Sequence, residues 1–441
     1  MNPFRASKNV TKPGLVQPGR SAVISVLDVG SSKITCMIAK LRPRSDSALL
    51  PGRSHGIEVL GLGHQRSRGI KSGVVVNMDE AEKAIRLAVD SAERTAGMTV
   101  DSLIVSLSAG RLGSQTFRSD IELADRAVRH QDVQAILAKG VAHASQDGRS
   151  VVHALPIGYA LDGQRKITQP EGMLGEKLRV DMHLISADEA PLGNLELCIN
   201  RAHLAIDAVV ATPYASGISA LVEDESRMGA ACIDMGGGTT TISIFLDGHF
   251  VHGDTIAVGG NHVTMDVARC LSIAVNDAER LKVLSGTVAP TQDAEDELLQ
   301  AASIDHGNSQ TVQFSTAQMS EIICPRIEET FELLRDRIGR SGFAELIGRR
   351  VVLTGGASQL AGVSDVAARI LGANVRLGRP MGIAGLPKTA NGPSFSTATG
   401  LMIYPQICGN EYGGGMMRGG STAPDGASRL ARVGQWLRES F

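Results

Sequence analysis

The residues best suited to chemistry lie in the run Asp234-Met235-Gly236-Gly237-Gly238-Thr239-Thr240-Thr241. Glycines without a Cβ let backbone N–H groups approach a phosphate chain, and threonine hydroxyls add donors. A carboxylate at a strand end can hold the accompanying Mg2+ through water. The run is not a Walker loop, which needs G-x-x-x-x-G-K-[ST], nor a G-x-G-x-x-G turn opening a helix, because strand-like sequence follows it. For this run alone, an ordinary glycine-rich β-turn is the alternative. A second copy argues against that alternative: Asp28-Val29-Gly30-Ser31-Ser32-Lys33 again places Asp before x-Gly and hydroxyl residues at the end of an apolar run.

The elements that must position these turns are legible around them. Residues 230–233 and 242–245 read as two strands meeting at the glycines, Asp247-Gly248 suits a tight hairpin turn, and 249–258 reads as a third strand. The first copy repeats this pattern with strands at 23–27, 34–39 and 57–63. Long-period similarity of this kind predicts two related domains that hold a nucleotide between facing turns.

Composition agrees. The 441 residues suit two domains, and 43% hydrophobic residues with a formal net charge of −2 describe a globular chain with no general attraction to nucleic acid. Cys36, Cys198, Cys232, Cys270, Cys324 and Cys408 are scattered, without a C-x-x-C pair, and read as buried thiols. The eleven histidines lack metal-ligand spacing. Residues 1–20 carry Arg5, Lys8, Lys12 and Arg20 among Pro, Gly and Ser, which predicts a disordered basic tail without a secretory apolar core. No window is apolar enough for a membrane-spanning helix.

Along the chain, helices are expected at 79–96, with Asn77 and Glu80 at capping-box spacing, and at 132–144, 190–202, 213–223, 262–271 and 277–286. A further strand is expected at 103–107, and only about fifteen residues separate the third strand from the first helix, too few for a subdomain. Residues 110–181 instead read as an inserted small α+β subdomain with short strands. One domain is then assembled from 21–109, 182–227 and 390–405, and the other from 228–261 and 341–389, with 262–340 as its small subdomain. The acidic segment 291–308 reads as a solvated loop or a mobile hairpin. Met319, Ile322, Ile323, Ile327, Phe331, Leu334 and Ile338 form the core-facing stripe of a helix over 315–340. A strand at 349–354 leads into Gly355-Gly356-Ala357-Ser358, with a helix from about 360, and 395–404 is a closing helix.

Residues 406–427, rich in glycine, read as a flexible linker to an amphipathic helix at 428–441. At 100° per residue Leu430, Val433, Trp436, Leu437 and Phe441 share one arc, with Arg429 at its edge and Arg432 and Arg438 elsewhere. A helix this short, with the only Trp and with flanking cations, suits the interface of an anionic membrane. Docking back onto the protein is the alternative, against which the long leash argues.

With its two Asp-x-Gly turns and the Thr354-Gly355-Gly356 strand end, the chain resembles the actin, Hsp70 and sugar-kinase ATPase superfamily over about 21–404. The displaced subdomain, Ala278-Glu279-Arg280-Leu281-Lys282, Leu353-Thr354-Gly355-Gly356-Ala357 and the tethered terminal helix resemble its FtsA family in particular. The resemblance implies an α/β, actin-like (ribonuclease H-like) duplicated ATPase fold with a relocated subdomain. It implies Mg2+ at Asp28 and Asp234, and ATP phosphates at Gly30, Ser31, Ser32, Lys33, Gly236, Gly237, Gly238, Thr239 and Thr240. Adenosine would meet Gly259, Gly260, Glu279, Lys282, Gly355, Gly356 and Ala357, with Gly355 and Gly356 beneath the base. It further implies a cell-division protein that polymerises on the cytoplasmic face of the inner membrane at the septum. There it would anchor FtsZ, through the small subdomain at 262–340, and recruit later division proteins through the inserted subdomain.

Related hydrolases place Glu or Gln before the second turn to orient water, whereas Ala211-Thr212-Pro213-Tyr214-Ala215-Ser216-Gly217 offers neither. Slow or absent hydrolysis is therefore expected, with ATP as a structural ligand. The alternatives are an active actin-fold ATPase or kinase and another peripheral actin homologue of the pilus-assembly type.

Overall fold

The computed structural model describes residues 19–43, 53–109, 111–144, 148–289, 298–304 and 311–412. The basic tail up to residue 18, the linker from 413 and the terminal helix with Arg429, Leu430, Arg432, Val433, Trp436, Leu437, Arg438 and Phe441 lie outside the described residues.

The first half opens with β1 (Ala22–Val29) and β2 (Lys33–Pro43), an antiparallel hairpin extended by β3 (His55–Arg66). The short connection that follows folds into a small hairpin, β4 (Ile70–Lys71) with β5 (Val74–Val75). Helix α1 (Met78–Ala96) starts where the Asn77 side chain accepts the Glu80 N–H at 3.2 Å and ends at Gly97, φ +67°. Its alanine-rich face lies so close to β3 that a Cβ on Gly63 would fall 2.0 Å from the Ala88 carbonyl oxygen. Strand β6 (Ser102–Leu107) then pairs parallel to β1.

The inserted region is a four-stranded sheet, in the order β7-β10-β8-β9, with one helix: β7 (Gly113–Ala127), α2 (His130–Ala144), β8 (Arg149–Leu161), β9 (Gln164–Ile167) and β10 (Leu174–Asp188). Its main strands are longer than the short ones expected, because polar residues such as Arg118 and Asp181 pair across the exposed face and mask the alternation in sequence. Buried Leu123, Ile136, Leu178, Val180 and Met182 form its own core. Helix α3 (Glu189–Arg201) and β11 (Ala205–Ala211), parallel to β6, return to the first half. The single helix expected over 213–223 is instead two, α4 (Thr212–Ala220) and α5 (Glu223–Met228). Extended Leu221 and Val222 separate them, and the Glu225 carboxylate caps the second by accepting the Val222 N–H at 3.0 Å.

The second half repeats the pattern with β12 (Ala230–Met235), β13 (Thr240–Leu246) and β14 (His249–Ile256), followed by α6 (Gly260–Cys270) and α7 (Val275–Ser285). Of the segment 291–308, read as a solvated loop or a mobile hairpin, β15 (Leu298–Ala302) is a strand that pairs with β16 (Thr311–Ser315) just beyond it, because Ala301 and Phe314 bury themselves in the second core. Helix α8 (Thr316–Arg340) is capped by Ser315 and Gln318 and buries every member of its apolar stripe except half-exposed Ile322. Strand β17 (Arg350–Thr354), parallel to β12, leads into a 3-10 turn over Gly356–Gln359. Helix α9 (Val363–Leu371) starts three residues later than expected, after Gly362 at φ +81°. β18 (Asn374–Leu377) completes a five-stranded sheet, whereas β19 (Ile383–Ala384) pairs with β3, so the chain re-enters the first half before residue 390.

Helix α10 (Ser396–Ile403) crosses α4 so closely that a Cβ on Gly400 would lie 1.8 Å from the Ala215 carbonyl oxygen. The linker expected from 406 is docked through 412. The buried Glu411 carboxylate accepts from Tyr404 Oη at 3.0 Å and contacts His153 Nδ1 at 3.1 Å, and the Tyr412 N–H donates to the Ala154 carbonyl. Glycine composition alone did not disclose these anchors. Of the cysteines, Cys270 is exposed and Cys324 half-buried, which corrects the uniformly buried reading. Cys270 is the last residue of α6, and Cys324 of α8 packs at the margin of the second core.

Candidate functional site

Each half carries an aspartate one residue before the end of its first strand. In β1 and β2, Asp28 stands opposite Thr35, and in β12 and β13, Asp234 stands opposite Thr241. The parallel neighbour adds a hydroxyl in both: Ser106 on β6 donates to Asp28 Oδ1 at 2.8 Å, and Thr354 on β17 is in register with Asp234. The same row, hydroxyl, carboxylate, threonine, is thus built twice by the same strand order.

The two turns meet. A Cβ on Gly238 would lie 2.5 Å from Ser31 Oγ, and one on Gly237 2.7 Å from the Ser32 Cβ, so these positions tolerate only glycine at this separation. Each turn closes in the same way: the Gly30 N–H donates to the Lys33 carbonyl at 3.1 Å and the Gly236 N–H to that of Thr239 at 2.9 Å.

Burial makes the site electrostatically costly. Desolvation raises Asp28 above its ordinary value against the Ser106 hydrogen bond and Lys33. Desolvation raises Asp234 to about 6, opposed by Thr397, whose hydroxyl donates to Oδ2 at 2.9 Å. Lys33 falls to about 8 because burial outweighs the two carboxylates; its Nζ lies 3.2 Å from the centre of the Phe395 ring and 3.3 Å from Ser394 Oγ.

The turns open onto a cavity of about 620 Å3 between the halves. Of the residues expected to hold ligand, Asp28, Gly30, Ser31, Ser32, Lys33, Asp234, Gly236, Gly237, Gly238, Thr239, Gly260, Glu279, Lys282, Gly355, Gly356 and Ala357 line it. Thr240 and Gly259 do not. The Thr240 hydroxyl donates to the Val258 carbonyl at 2.8 Å, and Gly259 packs against the carbonyls of Gly236 and Gly237. At one end of the cavity Lys282 Nζ binds Glu279 at 2.7 Å, Thr264 Oγ1 at 2.9 Å and the Gly260 carbonyl at 3.1 Å. Gly355, φ +86°, is pressed against Asp234 Oδ1 and the Met235 backbone. Gly356 is open on that side, its nearest neighbour being Ser394 at 3.6 Å from a hypothetical Cβ.

Sequence reasoning missed Ser108, Thr212, Val283, Leu284, Leu360, Ser394 and Thr397, and left Thr241, the last residue of the run it singled out, off the ligand set; all of these line the cavity. The hydroxyl-rich run at 394–399 was the available signal for two of them. A larger cavity of about 1150 Å3, between the inserted sheet and both halves, contains none of the expected ligand residues.

The family model for cell division protein FtsA matches residues 231–400, and one for the SHS2 domain inserted in FTSA matches 109–186. The chain is 52% identical to the cell division protein FtsA of Agrobacterium fabrum over 425 residues, covering 96% of each chain. It is 29% identical to that of Escherichia coli K12 over 422 residues, covering 94% of this chain and 97% of the other. Among solved structures it is similar in fold to the PilM-PilN type IV pilus biogenesis complex, with a TM-score of 0.60 at 14% identity over 87% of this chain and 98% of that one. The AMPPNP-bound MreB5 of Spiroplasma citri is similar at a TM-score of 0.51 and 12% identity, covering 87% and 96%.

Proposed function

Since the chain belongs to the FtsA family, cell-division proteins built on the actin-like ATPase fold, we propose that it binds Mg-ATP between its two turns and assembles into filaments on the inner face of the cytoplasmic membrane, where it anchors FtsZ and recruits later division proteins. The observation that carries this reading is the pair of aspartate-glycine turns lining one cavity, with Gly238 against Ser31. The donor set suits the ligand: two desolvated carboxylates and hydroxyl oxygens match a hard divalent cation. Among the described residues no cluster of three or more His, Cys, Asp or Glu occurs, so phosphate and water would complete the cation's shell.

Asp28 and Asp234 would hold Mg2+, which supplies charge neutralisation along the phosphate chain. Lys33, Ser31, Ser32 and the backbone of 236–239 would hold the phosphates, and Glu279 with Lys282 the ribose and adenine. Thr212 is the residue of the segment before the second turn that lines the cavity, and it has no basic atom to accept a proton from water. The reading is therefore a ligand that fixes the closed shape, with little turnover. Isothermal titration with Mg-ATP and a phosphate-release assay test it: micromolar binding without rapid release supports it, and rapid hydrolysis lost in Asp234→Ala would overturn it.

No helix among the described residues is long and apolar enough to cross a membrane. The attachment proposed is through residues 428–441, expected from sequence to form an amphipathic helix, many copies of which would act together in a filament. Trp436→Glu should release the protein from anionic vesicles in co-sedimentation; equal pelleting of variant and parent refutes the assignment.

A further inference from the structure

Five buried hydroxyls among the described residues make no hydrogen bond: those of Thr35, Ser67, Thr241, Thr255 and Thr399. Only Thr241 of these lines the cavity between the turns. A buried hydroxyl without a partner is costly, and such groups in native folds call for an explanation. Thr241 is 2% exposed and stands directly opposite Asp234 in the β12–β13 register, so the two side chains share one face of the sheet. The other polar groups at this point are already committed. Asp234 Oδ2 accepts from Thr397, and Thr354 Oγ1 is bonded to Ser396 Oγ at 2.6 Å. The Thr240 hydroxyl is turned the other way, onto Val258.

We propose that the Thr241 hydroxyl is a positioning group for the water carried by the cation at Asp234, an assignment that rests on the Mg-ATP reading of the same cavity. Mg2+ keeps several waters when one or two carboxylates hold it, and each needs an acceptor beyond the metal. The Thr241 hydroxyl is the buried oxygen beside Asp234 that is free to accept. The first half provides an internal control. Thr35 stands opposite Asp28 in the same register, is equally buried and equally without a partner, yet lies outside the cavity lining. Two residues with the same local setting thus differ in whether they line the cavity.

The experiment measures ATP affinity by titration calorimetry with Mg2+ and with EDTA, alongside thermal midpoints without nucleotide, for the full chain and for Thr241→Val, Thr241→Ser and Thr35→Val. The expected result is that Thr241→Val weakens Mg-ATP binding about fivefold, the worth of one hydrogen bond, while its affinity in EDTA equals the parent's. Thr241→Ser keeps the parent's Mg2+ dependence. Thr35→Val binds as the parent and melts higher, because an unpaired buried hydroxyl has been removed. If Thr241→Val behaves as Thr35→Val does, with unchanged Mg-ATP affinity and a higher midpoint, Thr241 is a strand residue and the inference is overturned. An equal loss in Mg2+ and in EDTA overturns it as well. A parent that binds no ATP at all instead refutes the Mg-ATP reading itself.

Discussion

Replacing Asp234 by Asn should stabilise the nucleotide-free protein at neutral pH and leave its stability unchanged in acid. The carboxyl is 7% exposed, and desolvation raises its pKa from 3.8 to about 6. Each unit corresponds to 1.36 kcal/mol, so holding the ionised group in place costs about 3 kcal/mol. The sign follows from proton counts. Between pH 3.8 and about 6 the native state keeps a proton that the unfolded chain has lost, so stability falls as pH rises through that window and is level above it. Asn preserves an acceptor for the Thr397 hydroxyl and carries no charge. Urea unfolding of both proteins in EDTA, from pH 4 to 8 at fixed ionic strength, should show curves that coincide near pH 4 and separate toward pH 7, the variant being the more stable. A gap that does not change with pH, or a parent that is more stable at pH 7, refutes the reasoning. The same variant should lose the Mg2+-dependent part of its ATP affinity, since what destabilises the apo fold is what the cation would relieve.

Three further outcomes can be measured. Gly238→Val should lower Mg-ATP affinity at least tenfold in calorimetry while far-UV dichroism is unchanged, because its Cβ would meet Ser31 Oγ at 2.5 Å and push the turns apart. Gly400→Ala should destabilise the chain by about 2 kcal/mol in thermal unfolding, its Cβ colliding with the Ala215 carbonyl. Glu411→Ala should cost about 2 kcal/mol by leaving Tyr404 Oη and His153 without their acceptor, whereas Glu411→Gln, which keeps an acceptor oxygen, should cost far less.

The duplicated hairpins and both carboxylates were legible because their signals are local: an apolar run, an aspartate, a glycine turn, and a second apolar run. Capping at Asn77 and the stripe of α8 were readable for the same reason. What escaped was set by distant partners. The break between α4 and α5 depends on Glu225, which Arg376 grips from the far end of the chain. Residues 406–412 are ordered by His153 and Ala154 in the inserted sheet, contacts that glycine content could not announce. Within the site, Thr240 and Thr241 have the same composition in sequence. Only strand register decides that Thr240 turns its hydroxyl to Val258 while Thr241 shares the face of Asp234 and lines the cavity.

The crossing of α4 and α10 at Gly400 acts as a rivet. Helix α4 packs on β12 and β13 of the second sheet and α10 on β1 and β6 of the first, so the backbone contact at Gly400 fixes how closely the two sheets approach at that point.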